Sequence, residues 1–251
     1  MKKLFFLLIC LIILTSCQHT LPQGITSQHT EIDWVDFIKW NGKEYNGIYS
    51  GVLADESYIG DKIGEVKFRV ADNVTNPSYR TKDGDAAFHE PGTEIFSIDG
   101  REDLIAVKSE HAINGYQVYY LSKDREYSWH FKNVAIENIS KIEIYKEHLL
   151  SEMISKEEIE DFIKLLNTGD VNANFSPNTN LKDPVIYEMV FYTGQAVAYN
   201  FNLYHDGMTY YWYPWDTVVL SDKVGLYLEK NQSFNKKLNS LLTVSTNILK
   251  P

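Results

Sequence analysis

Between residues 31 and 129 the chain alternates short apolar and polar runs separated by turn formers, the pattern of β-structure. Residues 34–40 and 43–49 are rich in aromatic and β-branched side chains and flank Asn41-Gly42, a pair that tolerates the left-handed backbone of a tight turn. A hairpin is predicted there. Residues 64–70 alternate as one half-buried strand. Residues 94–98, 104–108 and 116–121 follow as three more, separated by Asp99-Gly100 and Asn114-Gly115. Residues 71–92 are polar, contain Asn, Asp, Pro and Gly throughout, and read as a long loop that is either mobile or functional.

After residue 131 the pattern mixes two periods. Residues 139–145 alternate as a strand. Ser155 followed by Glu158 makes a capping box, and Ile159, Phe162, Ile163 and Leu166 then fall on one face of a helix that Gly169 is expected to stop. A turn-rich link at 170–184 leads to strands at 185–192 and 196–203, joined by Thr193-Gly194-Gln195. His205-Asp206-Gly207 turns into a strand at 208–213, and another follows at 217–220. Short helices are predicted near 222–229 and within 235–249. The expected class is α+β and β-rich, with antiparallel sheets and a few short helices packed on the C-terminal sheet. A boundary near 129–133 would divide a β-rich domain (32–130) from an α+β domain (131–251).

Composition narrows the partners. At 44% hydrophobic and 23% charged, the 251 residues hold enough apolar surface for a core and too much for disorder. Twenty-four Lys and Arg face 34 Asp and Glu, a net charge of −10 that offers no basic face to nucleic acid.

The first residues change the picture most. Met-Lys-Lys is followed by eleven apolar residues, 4–14, and then by Thr15, Ser16 and Cys17. A basic start and an apolar run of this length form a secretory signal, well short of the roughly 20 residues that span a membrane. Leu14-Thr15-Ser16-Cys17 resembles the lipobox of bacterial lipoproteins. That resemblance implies cleavage after residue 16, a diacylglyceryl group on the Cys17 sulfur, and anchoring to the extracytoplasmic face of the cell membrane. Cys10 would leave with the signal, so Cys17 would be the one thiol of the mature chain and no disulfide could form within it. Loss of Lys2 and Lys3 leaves 22 basic against 34 acidic residues, a charge of −12 that an anionic surface repels, so the anchor would have to be covalent. Residues 17–31 would hold the lipidated Cys17 and a flexible tether, of which the 13 residues 18–30 reach about 20 Å as a coil. The strand–capped helix–strand order of 141–213 also resembles small α+β modules of Gram-positive cell-envelope lipoproteins, for which no catalytic residue is assigned.

No catalytic signature stands out. The seven histidines form no His-Glu-x-x-His or His-x-His arrangement, and without body cysteines a thiolate zinc site is excluded. His89-Glu90 and Glu110-His111 read as surface pairs, and Asp83-Gly84-Asp85 as a solvated turn. Gly-x-Ser-x-Gly elbows, phosphate loops and dinucleotide fingerprints are missing, so no cofactor is expected. A glycan hydrolase using two distant carboxylates stays open as the alternative to a binding module. Tyr210-Tyr211-Trp212-Tyr213-Pro214-Trp215 packs five rings into six residues. On a strand, Tyr210 and Trp212 point one way and Tyr211 and Tyr213 the other. One set belongs to the core. Tyr211, Trp212, Tyr213 and Trp215 are the candidate ligand-binding residues, for a glycan or protein partner.

Overall fold

A computed structural model describes residues 32–122, 126–180 and 182–228. The predicted signal, Cys17, the tether and the predicted helix at 235–249 lie outside the described residues. In chain order the elements are β1 (Phe37–Trp40), β2 (Lys43–Gly47), β3 (Gly51–Leu53), β4 (Ile59–Glu65), β5 (Phe68–Arg69), β6 (Asp85–Ala86), β7 (Glu94–Ile98), β8 (Leu104–Lys108) and β9 (Tyr116–Leu121). Then come β10 (Lys141–Lys146), β11 (His148–Met153), α1 (Lys156–Asn167), β12 (Asp170–Val171), β13 (Val185–Tyr192), β14 (Val197–His205), β15 (Tyr210–Trp212), β16 (Val218–Leu220) and α2 (Gly225–Leu228). The fold is β-rich, with two sheets and a few short helices. One sheet runs β4-β7-β8-β9-β2-β1-β6-β5 and the other β11-β10-β13-β14-β15-β16-β12, with β3 added to β14.

Local chemistry accounts for the elements that were expected. Asn41 and Gly42 adopt φ of 48° and 70°, and the hairpin they close pairs Trp40 with Lys43 and Phe37 with Asn46. At α1 the Ser155 hydroxyl accepts from the Glu158 amide at 3.2 Å. The buried Ile159, Phe162, Ile163 and Leu166 share one hydrophobic cluster with Ile142, Ile144, Met189, Phe191, Leu203 and Trp212. Gly169 acts differently from expectation. Its φ is not positive, and Thr168 closes the helix by donating from its amide and hydroxyl to the Lys164 carbonyl. A Cβ on Gly169 would lie 2.7 Å from the Val219 carbonyl oxygen, so glycine is there to let the chain pass close to β16.

Other expectations hold only in part, for identifiable reasons. The strand predicted at 64–70 is broken because the backbone changes partner. Glu65 still pairs with β7, the Val66 amide donates to Thr93, and the Lys67 and Phe68 amides both donate to Gly84. The segment 71–92 is a long irregular stretch, as expected, but it is tied down along its length. It contains β6, the Gly84 amide donates to Lys39 and the Ala87 amide to Phe37, and Val74 and Ala87 are buried. Asp83-Gly84-Asp85 does turn, with Asp83 exposed, but it is not solvated throughout. Asp85 is buried and accepts from the Tyr79 hydroxyl and the Lys82 amide, both at 2.8 Å, while Asp83 accepts from the Gly42 amide. β11 follows β10 through Glu147 at φ 63° and was hidden by its irregular apolar order.

The expected boundary near 129–133 separates the two sheets except for β3, which pairs Gly51–Leu53 with residues 197–199 of β14. Around it, Ile48, Leu53, Leu104, Val118 and Trp129 form one cluster with Ala196 and Val197, so the two halves share a core. Strand register sorts the second sheet into two faces. Ile142, Met189, Phe201 and Trp212 face the α1 side. On the opposite face Val190, Tyr192 and Ala198 cluster with Val52, their neighbour in β3, and Ile113 of the first half packs against the group. The same face continues through Ile186, Glu188, Asn200, Asn202 and Tyr204 beyond that group. Among the described residues no helix is long and apolar enough to cross a membrane.

Candidate functional site

β14 exchanges one edge partner for another along its length. Residues 197–199 pair with β3 and residues 203–205 with β15, so the pairing lapses at 200–202, where the Asn200 amide donates instead to the Ser50 carbonyl. A cleft of about 500 Å³ opens at this lapse. Its floor is Ile186, Glu188, Asn200, Asn202 and Tyr204, and its walls include Tyr49, Trp129, His130 and Tyr213. Asn200 Nδ2 donates to Glu188 Oε2 at 3.2 Å, and Asn200 Oδ1 is buried without a hydrogen-bond partner among the described residues. Asn200 Oδ1 is closed to solvent, so the acceptors the floor presents are the Glu188 carboxylate and the side-chain oxygen of the exposed Asn202.

Two of the cleft tyrosines are braced from behind. Tyr49 lies face to face on Tyr127 at 4.5 Å and 4°, and Tyr204 lies on Tyr211 at 5.2 Å and 13°. Tyr127 is itself fixed. Ser50 Oγ donates to the Trp129 carbonyl at 2.6 Å, so the 2.5 Å contact between Tyr127 and Ser50 Oγ carries the tyrosine's proton. The Ser50 amide donates back to Tyr127 at 3.0 Å. Burial pushes the Tyr127 hydroxyl up to about 12, which keeps it neutral and donating. A ring held on one face keeps its rotamer and offers its other face, a preorganised stacking surface. The rings also form a ledge. Tyr127 meets Tyr120 at 5.7 Å and His130 at 5.1 Å, and His130 meets Trp215 edge-on at 5.7 Å.

The four aromatic residues singled out in the sequence separate cleanly. Tyr213, 46% exposed, lines the cleft, and Trp215, 79% exposed, stands beside it against His130. Tyr211 and Trp212 are 2% and 1% exposed and do not form surface. Trp212 points to the α1 side, edge-on to Phe131 at 4.7 Å, and Tyr211 is covered by Tyr204 and by Phe175 from the link before β13. Sequence reasoning missed Tyr49, His130, Glu188, Asn200, Asn202 and Tyr204. A signal was present. Glu188, Asn200 and Asn202 are polar positions on one face of otherwise apolar and aromatic strands.

A second polar cluster lies in the first sheet. Asp36 accepts from Gln117 Nε2 at 2.7 Å and from the Tyr119 hydroxyl at 3.0 Å. His89, expected at the surface, is half-buried with Nε2 2.6 Å from the Tyr119 hydroxyl. The tyrosine's proton goes to Asp36, so His89 is the donor to Tyr119. Burial lowers the His89 pKa against the pull of Asp36. Burial also raises Asp36, more than the Tyr119 bond, His89 and Gln117 lower it. A Cβ on Gly47 would lie 2.6 Å from Asp36 Oδ2, so glycine makes room for this carboxylate. Asp36 borders a smaller cleft of about 180 Å³ with Asn46, Tyr49, Gln117 and Tyr120.

A third cluster centres on the buried Glu143. Glu143 accepts from Lys141 Nζ at 2.7 Å and from the hydroxyls of Tyr145 at 2.6 Å and Tyr192 at 2.5 Å. Burial alone would raise its pKa, but these three bonds together bring it below the ordinary value.

No protein-family profile, curated protein or solved structure matches the chain.

Proposed function

We propose that the protein is a lipid-anchored, non-enzymatic binding module on the extracytoplasmic face of the cell membrane, and that its cleft takes the flat face of an uncharged sugar. The carrying observation is the pair of braced tyrosines, Tyr49 and Tyr204, set around a floor of Glu188, Asn200 and Asn202. A pyranose has an apolar face of C–H groups and an equator of hydroxyl donors. Braced rings suit the first, and the Glu188 and Asn202 acceptors of the floor suit the second. The acidic balance of the chain, 34 against 24, weighs against polyanionic ligands. The paired-carboxylate route to glycan hydrolysis needs two acids, and Glu188 is the one carboxylate among the described residues lining the cleft. The anchor rests on Lys2, Lys3, the apolar run and Leu14-Thr15-Ser16-Cys17.

Two experiments test the two parts. Co-sedimentation with chitin, cellulose and peptidoglycan sacculi is expected to retain the protein on at least one of them, and Tyr204→Ala to release it. Retention unchanged in Tyr204→Ala, or none on any of the three, refutes the sugar reading. Cys17→Ser is expected to move the protein out of the membrane fraction, and persistence there after processing refutes the anchor.

A further inference from the structure

We infer that the ligand is an extended, uncharged β-linked oligosaccharide occupying two subsites, one over Glu188 and Asn200 and the other over Asp36 and Gln117, with Tyr49 as their shared platform. This rests on the sugar reading of the larger cleft and adds the ligand's length and repeat.

Three observations point to it. First, Tyr49 lines both openings and is 78% exposed, so the two clefts are neighbours across one ring. Second, the aromatic ledge is continuous between them. Tyr127 braces Tyr49 from behind and touches Tyr120, which lines the smaller cleft, and His130, which lines the larger. Third, the polar chemistry is repeated. In each cleft a carboxylate accepts from a primary carboxamide, Glu188 from Asn200 at 3.2 Å and Asp36 from Gln117 at 2.7 Å. A carboxylate in such a pair keeps lone pairs for a further donor, so each subsite presents an acceptor beside a ring face. Two like sites in series match a ligand that is itself a series of like units. A β-linked chain is extended and keeps its ring faces in line for stacking. The carboxylate in each subsite disfavours acidic sugars by like-charge repulsion.

The consequence is a dependence on length, because the second contact becomes intramolecular once the first is made. The test is isothermal titration of N-acetylglucosamine β-1,4-oligomers and cello-oligosaccharides, each from the dimer to the hexamer. The measurements use the wild-type protein, Gln117→Ala, and Val35→Trp, which fills the smaller cleft from a position that is 70% exposed. In at least one series affinity is expected to rise about tenfold or more with length. Variants that match the wild type in thermal unfolding should bind the dimer within about twofold and lose the gain. Dimer binding with no gain from length overturns the two-subsite inference and leaves the sugar reading standing. A gain that survives in both variants overturns it as well. No binding at any length in either series overturns both.

Discussion

The two faces of the second sheet have nearly the same aromatic content and opposite fates. On the α1 side, Ile142, Met189, Phe191, Phe201 and Trp212 close into a single apolar cluster. The other face carries Glu143, Glu188, Asn200 and Asn202 among its tyrosines. It is covered by the first half of the chain only as far as Ile113 reaches. Tyr211 and Tyr213 share this second face, yet one is 2% and the other 46% exposed. Strand alternation therefore decides which side chains travel together. What covers them is decided elsewhere in the chain, here by Ile113 and Phe175. A cleft forms where that cover stops.

Substitutions at four positions probe this contrast, and their expected effects on stability descend in order. Trp212→Ala should cost about 3–5 kcal/mol by denaturant unfolding, because the ring is enclosed and the cavity cannot collapse. Glu143→Ala, on the other face but under cover, should cost about 3 kcal/mol, since it strands Lys141 and two tyrosine hydroxyls. Its pH signature has a definite sign. Glu143 is held below its ordinary value of 4.5, so its stabilisation is fully present above that pH and is lost as pH falls through the lowered folded value. The deficit of Glu143→Gln relative to wild type should therefore be largest near neutrality and shrink in acid. A deficit that grows in acid would contradict the assignment. Tyr211→Ala should cost about 2–3 kcal/mol, less than Trp212→Ala, because its cover is a loop and two tyrosines. Tyr213→Ala should change stability by no more than about 0.5 kcal/mol while abolishing retention on the glycan that binds wild type. Equal losses for Tyr211→Ala and Tyr213→Ala would erase the contrast between covered and open parts of one face.

The sequence made the local features legible. Asn41-Gly42 and the Ser155–Glu158 box state their own geometry, since a left-handed turn and a helix start depend on neighbouring residues alone. The five-ring run at 210–215 was legible as two alternating sets, and of that run Tyr213 lines the cleft while Trp215 touches His130. The remainder was illegible because it depends on distant partners. β3 is three residues long and carries no periodic signal, and its place is set by Val197, Ala198 and Tyr199. The break after Glu65 depends on where Gly84 and Thr93 come to lie. His89 looked like a surface residue because neither Tyr119 nor Asp36 is near it in the chain.

That small strand, β3, also sets a schedule for assembly. It is synthesised early and must wait for a partner that emerges only after more than half the chain has followed. Closing so long a loop carries an entropic penalty that local hairpins avoid, and non-local pairings of this kind slow folding. Until β3 docks, the 197–199 edge of β14 is an open template for pairing with another chain. The cleft is defined by the interval between β3 and β15, so it is complete only when both strands are in place. Ligand binding during refolding should accordingly lag behind the burial of Trp212, and a trap for unpaired edges, such as a holdase chaperone, should delay binding more than it delays core formation.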